Sequence, residues 1–400
     1  MKTRIQTLRS MVIGLALSPI ATSLIAQDAL WVLSETPPSV GKIELASFTY
    51  EEVVTFGDAT FATDLEIRGD EGVVVLENRV VKIDLATGQT LADTELLGAQ
   101  EACILDDGTV VITRGGVNDV WEPLDLTSHL VWLDGQDLSW EGELTPSEGP
   151  SLPSQEVTLV DGIVYVAVNN GWSYTEEVGR MGRWDPTEGT YEEWDLGEAA
   201  QNPVAIHVHD GALFTVNNGD WTSTSVSRLT FDDLASVETV TLQGVSAGCN
   251  ASAFVENKLA VQISGESGLR LLDSPTMAWE EGEVLNQAAP SAYSLAVHPQ
   301  YGWTFAGVTD YATFGEVQIR TTAGELLATV PVGISPGTLV WQDTETSDLD
   351  KLPIASTPPR SGTWDVMGRE TGPARLPGMP SLTLVRRDNG TVDKVMQVGQ

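Results

Sequence analysis

Two stretches decide the reading of this chain: VDGIVYVAVNNGW, Val160 to Trp172, and HDGALFTVNNGDW, His209 to Trp221. Each opens on an Asp-Gly pair, the dipeptide that supplies the positive φ angles of a tight hairpin. A β-branched or alternating run follows and breaks at Asn-Asn-Gly. A fainter copy, DDGTVVITRGG (Asp107 to Gly116), precedes them and is followed at a short distance by Trp121. Beyond the loop comes a further strand that ends in a second turn, as in RVVKIDLATGQT (Arg79 to Thr90), RWDPTEGTYEEW (Arg183 to Trp194) and VQIRTTAGELLATV (Val317 to Val330). Two hairpins per repeat make four antiparallel strands.

Working outward, residues 29–344 are a succession of such runs, punctuated by Gly, Asp, Asn and Pro and lacking helical periodicity. The chain is all-β. Cutting at the turn signals yields units near 28–57, 58–98, 99–150, 151–198, 199–244, 245–287 and 288–333, with GTLVW (Gly337 to Trp341) left over. The first unit offers only ALWVLSE, GKIELASFTYE and EEVVTFG and so lacks its innermost strand. The leftover strand fills that vacancy and closes a ring. Four-stranded units of this length predict a seven-bladed β-propeller of antiparallel blades. A linear β-solenoid competes, but its coils are shorter and lack paired Asp-Gly hairpins.

The alternation of strand, NNG loop, strand and DxxTG turn resembles the YncE-like propeller repeats of bacterial surface proteins. The NNGW pair is similar to propellers on Bacteroidota surfaces that stand beside outer-membrane transporters, some of which capture cobalamin. The resemblance spans 29–344, with its strongest motifs at Asn169 to Trp172 and Asn217 to Trp221. It implies a binding propeller with an outer-membrane transporter as partner.

Ahead of the repeats, Lys2, Arg4 and Arg9 precede an apolar run from Met11 to Ala26, broken by Pro19 and rich in small residues near its end. That is the pattern of a secretory signal peptide over 1–26, cut near Ala26. No cysteine follows it to take a lipid, and no later run is long and apolar enough to span a bilayer. Export to the cell surface or medium is expected, with the periplasm as the alternative. The formal charge of -36, from 57 acidic and 21 basic residues, repels phosphate backbones and excludes nucleic acid as a natural partner.

Past Trp341 the Pro-rich stretch 345–362 reads as a linker, and 363–400 as a small β segment. Trp364 to Arg369, Leu376 to Met379, Leu382 to Arg387 and Lys394 to Val398 resemble the end of the sorting domain of type IX secretion substrates. Pro380 and Ser381 depart from that pattern where an aromatic residue is usual. An ordinary terminal hairpin is the other reading of the same residues.

No GxSxG, HExxH, EF-hand or Walker sequence occurs. Neither a catalytic group nor a resident metal or cofactor is expected. His207 and His209 stand two apart on one strand, face one way and could in principle share a metal, but their place just before the Asp210-Gly211 turn points instead to a strand end near the far face. Cys103 and Cys249 fall in units on opposite sides of the ring and are expected to be unbonded.

Units three to five lengthen the loop between their second and third strands. Those loops carry Arg114, Trp121, Asn169, Asn170, Trp172, Tyr174, Asn217, Asn218 and Trp221. Units two and six pass the same point with the short LENR (Leu76 to Arg79) and SGESG (Ser264 to Gly268). Aromatic rings among amides supply stacking area with directional hydrogen bonds, the composition of a platform for a small, partly polar ligand such as a corrinoid. Asn-Asn-Gly also makes turns in its own right, and Trp also wedges between blades. An extracellular polysaccharide-cleaving propeller and a protein-interaction scaffold are the functional alternatives.

Overall fold

A computed structural model describes residues 29–342, apart from 119–121, 171–176, 220, 249–250 and 286–290, together with 381–386 and 392–397. The leader, the linker and most of the sorting-like motifs therefore lie outside the described residues, as does Cys249; Cys103 carries a free, buried thiol. The chain divides into two units, Met1–Glu345 and Thr346–Gln400.

The first unit is a ring of seven four-stranded sheets. Blade one holds β1 (Ala29–Glu35), β2 (Pro38–Glu44) and β3 (Thr49–Thr55). Blade two holds β4 (Ala62–Arg68), β5 (Glu71–Leu76), β6 (Arg79–Asp84) and β7 (Thr90–Glu95). Blade three follows with β8 (Ala99–Ile104), β9 (Val110–Arg114), β10 (Leu130–Leu133) and β11 (Trp140–Leu144), and blade four with β12 (Ser154–Val160), β13 (Ile163–Val168), β14 (Arg180–Asp185) and β15 (Thr190–Asp195). Blade five has β16 (Pro203–His209), β17 (Ala212–Asn217), β18 (Thr224–Thr230) and β19 (Asp233–Leu242). Blade six has β20 (Ser252–Val255), β21 (Lys258–Gln262), β22 (Leu269–Asp273) and β23 (Ala278–Leu285). Blade seven has β24 (Ser294–Val297), β25 (Thr304–Thr309), β26 (Gly315–Arg320) and β27 (Leu326–Val332).

The expected closure is present. Strand β28 (Pro336–Trp341) pairs antiparallel with β1, from Leu30 opposite Trp341 to Ser34 opposite Pro336, and becomes the inner strand of blade one. The side chain of Gln342 fastens the seam on both sides, accepting from Trp31 Nε1 at 3.1 Å and donating to the Gly69 carbonyl at 2.9 Å. Among the described residues the second unit shows one antiparallel pair, β29 (Ser381–Arg386) with β30 (Val392–Gln397).

Burial follows position within the blade. The second strands are buried along almost their whole length, as in β5 (EGVVVL), β13 (IVYVAV) and β25 (TFAGVT), because neighbouring blades cover both faces. Outermost strands such as β3 and β7 alternate exposed and half-buried residues at the rim. The Asp-Gly hairpins form as expected, with Asp161 and Gly162 at φ 49 and 79° and Asp210 and Gly211 at 45 and 75°.

Leu33 is fully enclosed between blades one and two, among Val40, Leu65, Val74 and Leu76. Leu33→Ala should cost about 2–5 kcal/mol, as buried leucine truncations do. Denaturant unfolding should show a lowered midpoint; an unchanged one would mean that the seam does not limit stability.

Candidate functional site

In this ring the loops joining second to third strands open on the same face as the connections between blades. On that face the axial channel widens into a cavity of about 580 Å³, reached by all seven inner strands. Its wall carries Glu35, Asp64, Glu66, Glu101, Glu156 and His207; among the described residues no lysine or arginine lines it. A second depression of about 600 Å³ lies off the axis beside Asp58 and Arg79, but among the described residues no aromatic ring lines it, and its arginine is already paired with Asp58 at 2.7 Å.

Of the loop residues singled out from sequence, Trp221 stands at the rim of the channel and lines the cavity. It is 43% exposed and adopts φ 65°, a backbone region that bulky side chains rarely occupy. The backbone N–H of Trp221 donates to Asn218 O at 2.9 Å, which fixes the turn that presents the indole. Trp121, Trp172 and Tyr174 lie outside the described residues.

The polar members of the same set are directed inward. Arg114 is buried, its Nε donating to the Leu97 carbonyl at 3.0 Å and its Nη1 to Ser128 Oγ at 3.2 Å. Asn169 Nδ2 reaches Gln155 Oε1 at 3.0 Å and the Pro203 carbonyl at 3.1 Å, tying blade four to blade five. Asn217 accepts from Thr215 Oγ1 at 2.8 Å and donates to Ser225 and Ser227 at 3.0 Å each. Asn218 donates to the Gly248 carbonyl of blade six, and Asn170 is buried at φ 49°. These amides brace the loops from below, so the turn-forming role of Asn-Asn-Gly is realised alongside the exposed Trp221.

Further aromatic residues share this face although their loops are short. Phe61 enters the cavity wall from the connection into blade two, and Tyr293 from the connection into blade seven. Tyr311, 66% exposed in the β25–β26 loop, meets Tyr293 edge to face at 5.2 Å. Loop length was the signal used for blades three to five, and it passes over the five-residue loop DYATF that carries Tyr311 and Phe314.

The channel wall is a carboxyl environment. Burial pushes Glu35 up to about 7, opposed by the Tyr293 hydroxyl, which donates to its Oε2 at 2.6 Å. Glu35 can lie there because Gly337 has no side chain: a Cβ on Gly337 would sit 1.9 Å from Glu35 Oε1. Asp64, Glu66, Glu101 and Glu156 are all raised, in each case by burial first, with mutual repulsion adding to the effect for the three glutamates.

The histidine pair does not build a metal site. His207 bonds Ser252 Oγ at 2.8 Å and is lowered to about 4 by burial, while His209 stacks on Phe254 at 4.1 Å. Among the described residues no cluster of three or more His, Cys, Asp or Glu side chains has the arrangement to hold a metal. Glu101 and Glu156 were not legible as site residues among 57 acids. The usable signal is the Gln-Glu pair repeated at the start of successive inner strands, Gln100-Glu101 and Gln155-Glu156.

Glu35 holds its proton more tightly folded, at about 7, than its ordinary value of 4.5. Its contribution to stability is therefore complete below about pH 4.5 and is lost as the pH rises through 7. The carboxylic-acid infrared band of this side chain, assigned by its absence in Glu35→Gln, should disappear with a midpoint near 7. Tyr293→Phe should move that midpoint upward; a midpoint in the ordinary carboxylate range would refute the assignment.

No protein-family model matches the chain, and no curated protein matches it by sequence. Solved structures do resemble it. The extracellular domain of a candidate one component system from B. thetaiotaomicron superposes with a TM-score of 0.53 at 13% identity, over 75% of this chain and 42% of that one. The chain thus spans about two fifths of that protein's length. The dihydro-heme d1 dehydrogenase NirN gives 0.48 at 13% identity, over 78% and 74% of the two chains. BamB from Moraxella catarrhalis gives 0.46 at 12%, over 79% and 82%. The first of these likenesses is one of fold, a propeller built of four-stranded antiparallel blades.

Proposed function

We propose that the protein is an exported, non-catalytic propeller that captures a small, partly polar ligand at the mouth of its axial channel. The observation that carries this reading is Trp221, half-exposed and held in a strained turn over a cavity of about 580 Å³. Rings at the rim give stacking area, and the channel wall below gives hydrogen-bonding groups in a volume suited to a small molecule. A corrinoid is the first ligand to try, since the repeats resemble those of YncE-like surface propellers that take cobalamin. On this reading the partner is an outer-membrane transporter and the C-terminal segment is a type IX sorting tail. The basic-then-apolar start of the sequence supports export. No helix among the described residues is long and apolar enough to cross a membrane.

Titration of purified protein with cobalamin, followed by absorbance and calorimetry, tests the reading. Trp172→Ala and Trp221→Ala together should weaken binding by about 2–4 kcal/mol, as loss of central aromatic anchors does, without lowering the unfolding midpoint. Asn217→Ala should behave in the opposite sense. It strips partners from three buried hydroxyls and should lower stability by about 1–3 kcal/mol. Unchanged affinity in the tryptophan variant would remove the mouth from consideration.

The polysaccharide-cleaving alternative draws on one feature, the carboxyl of Glu35 raised to about 7 at the channel mouth, the range of a general acid. Release of reducing ends from a glycan panel, abolished in Glu35→Gln, would favour it over capture.

A further inference from the structure

Three aromatic residues among the described residues take a positive φ: Phe48, Trp221 and Tyr311. Phe48 lies in the turn between β2 and β3, on the face away from the mouth, and packs against Trp303 at 6.2 Å. The other two stand in equivalent places. Trp221 belongs to the β17–β18 loop of blade five and Tyr311 to the β25–β26 loop of blade seven, each the link between a second and a third strand. Their φ values are 65 and 63°, and both side chains are exposed. A bulky residue keeps that backbone conformation only where its surroundings over-determine it.

Around Tyr311 that constraint is polar. Its N–H donates to Thr309 Oγ1 at 2.8 Å, and the same hydroxyl donates to the Phe314 carbonyl at 3.2 Å, across the base of the loop. The Asp310 carboxylate accepts the N–H groups of Ala312 at 2.9 Å and Thr313 at 2.7 Å. Its neighbour Tyr293 is fixed at both ends, the N–H donating to the Gly307 carbonyl at 2.7 Å and the hydroxyl to Glu35 Oε2 at 2.6 Å. The two tyrosine rings meet with centroids 5.2 Å apart and planes at 83°. They form a right-angled corner, in which Tyr293 lines the cavity wall and Tyr311 stays open to solvent. A flat conjugated ring laid on one side of such a corner is edge-on to the other, so the stacked and T-shaped contacts favoured by aromatic quadrupoles form together. A saturated sugar ring or an open chain gains contact area alone. With Phe61 at the entry to blade two and Trp221 on blade five, the aromatic stations divide the mouth into arcs of three, two and two blades.

We infer that Tyr311 and Tyr293 form a second stacking station at the mouth, built by blade seven, and that it selects ligands carrying a flat conjugated ring. The inference rests on the mouth being the place of capture, and it adds the group that is recognised there. Trp221 supplies one face from blade five, and the tyrosine corner supplies the other from blade seven.

Calorimetric titration of the full chain with cobalamin and with riboflavin, beside cellobiose as a saturated polar ring, tests this. At least one of the two conjugated probes should bind, and more tightly than cellobiose. Tyr311→Ala should weaken that binding about three- to tenfold, the range of one aromatic pair, and Tyr311→Phe should restore it. Tyr311→Leu, which keeps bulk without a π face, should bind as weakly as the alanine variant and preserves the test where that variant does not fold. Trp221→Ala, titrated in parallel, separates the two claims. Loss of affinity there with none in Tyr311→Ala would overturn the blade-seven station and leave the mouth standing. Full affinity in both variants would overturn station and mouth together. Cellobiose bound as tightly as the conjugated probes, or neither of those probes bound, would overturn the selection of a conjugated ring.

Discussion

The pairing of Ala29–Glu35 with Pro336–Trp341 is the constraint on which the rest of the ring depends. Without it, blade one lacks its inner strand, and the apolar faces of β1 and β4 have nothing between them at the axis. With it, seven inner strands surround one channel, and side chains from distant parts of the sequence share a wall. Glu35 shows how local the dependence is. Its carboxyl lies on the bare backbone of Gly337 and under the hydroxyl of Tyr293, so one residue registers the seam, the closing strand and blade seven together.

Around that axis two kinds of chemistry are separated by depth. The rim holds rings with exposed faces, Trp221 and Tyr311 among them, while the wall beneath holds carboxyls that burial raises above the usual carboxylate range. A chain of formal charge -36 and a channel whose acids are raised by burial are compatible because the two sets of carboxyls see different solvents. Carboxylates on the outer strands are hydrated and screened, whereas those in the channel share a wall on which, among the described residues, no lysine or arginine stands. The acidity of the sequence therefore says little about the charge inside the channel.

Much of the fold could be read from the chain because blades are local objects. Asp161-Gly162 and Asp210-Gly211 set hairpins by their own dihedral preferences, and the missing strand of unit one could be found by elimination. The site was harder. Arg114, Asn169 and Asn217 are the right residue types for a ligand platform, but the direction of a side chain at a strand end depends on the neighbouring blade, and their hydrogen bonds run inward to Leu97, Gln155, Ser225 and Ser227. Trp221 was visible because its loop repeats that of the blade before. Glu101 and Glu156 were hidden because each stands at a bulge, which is a property of pairing rather than of composition, and only the closed ring sets both on one channel wall.

Gln342 and Trp31, joined by a hydrogen bond at the seam, are separated by 311 residues of chain. Bringing ends so far apart together costs roughly 5 kcal/mol of loop-closure entropy. The other six blades pair strands that follow one another directly, so they form early and cheaply, while blade one waits for the final strand. Until that strand pairs, the polypeptide is a row of blades with an open axis. The channel, its acids and its rim come into being together, in the last folding event.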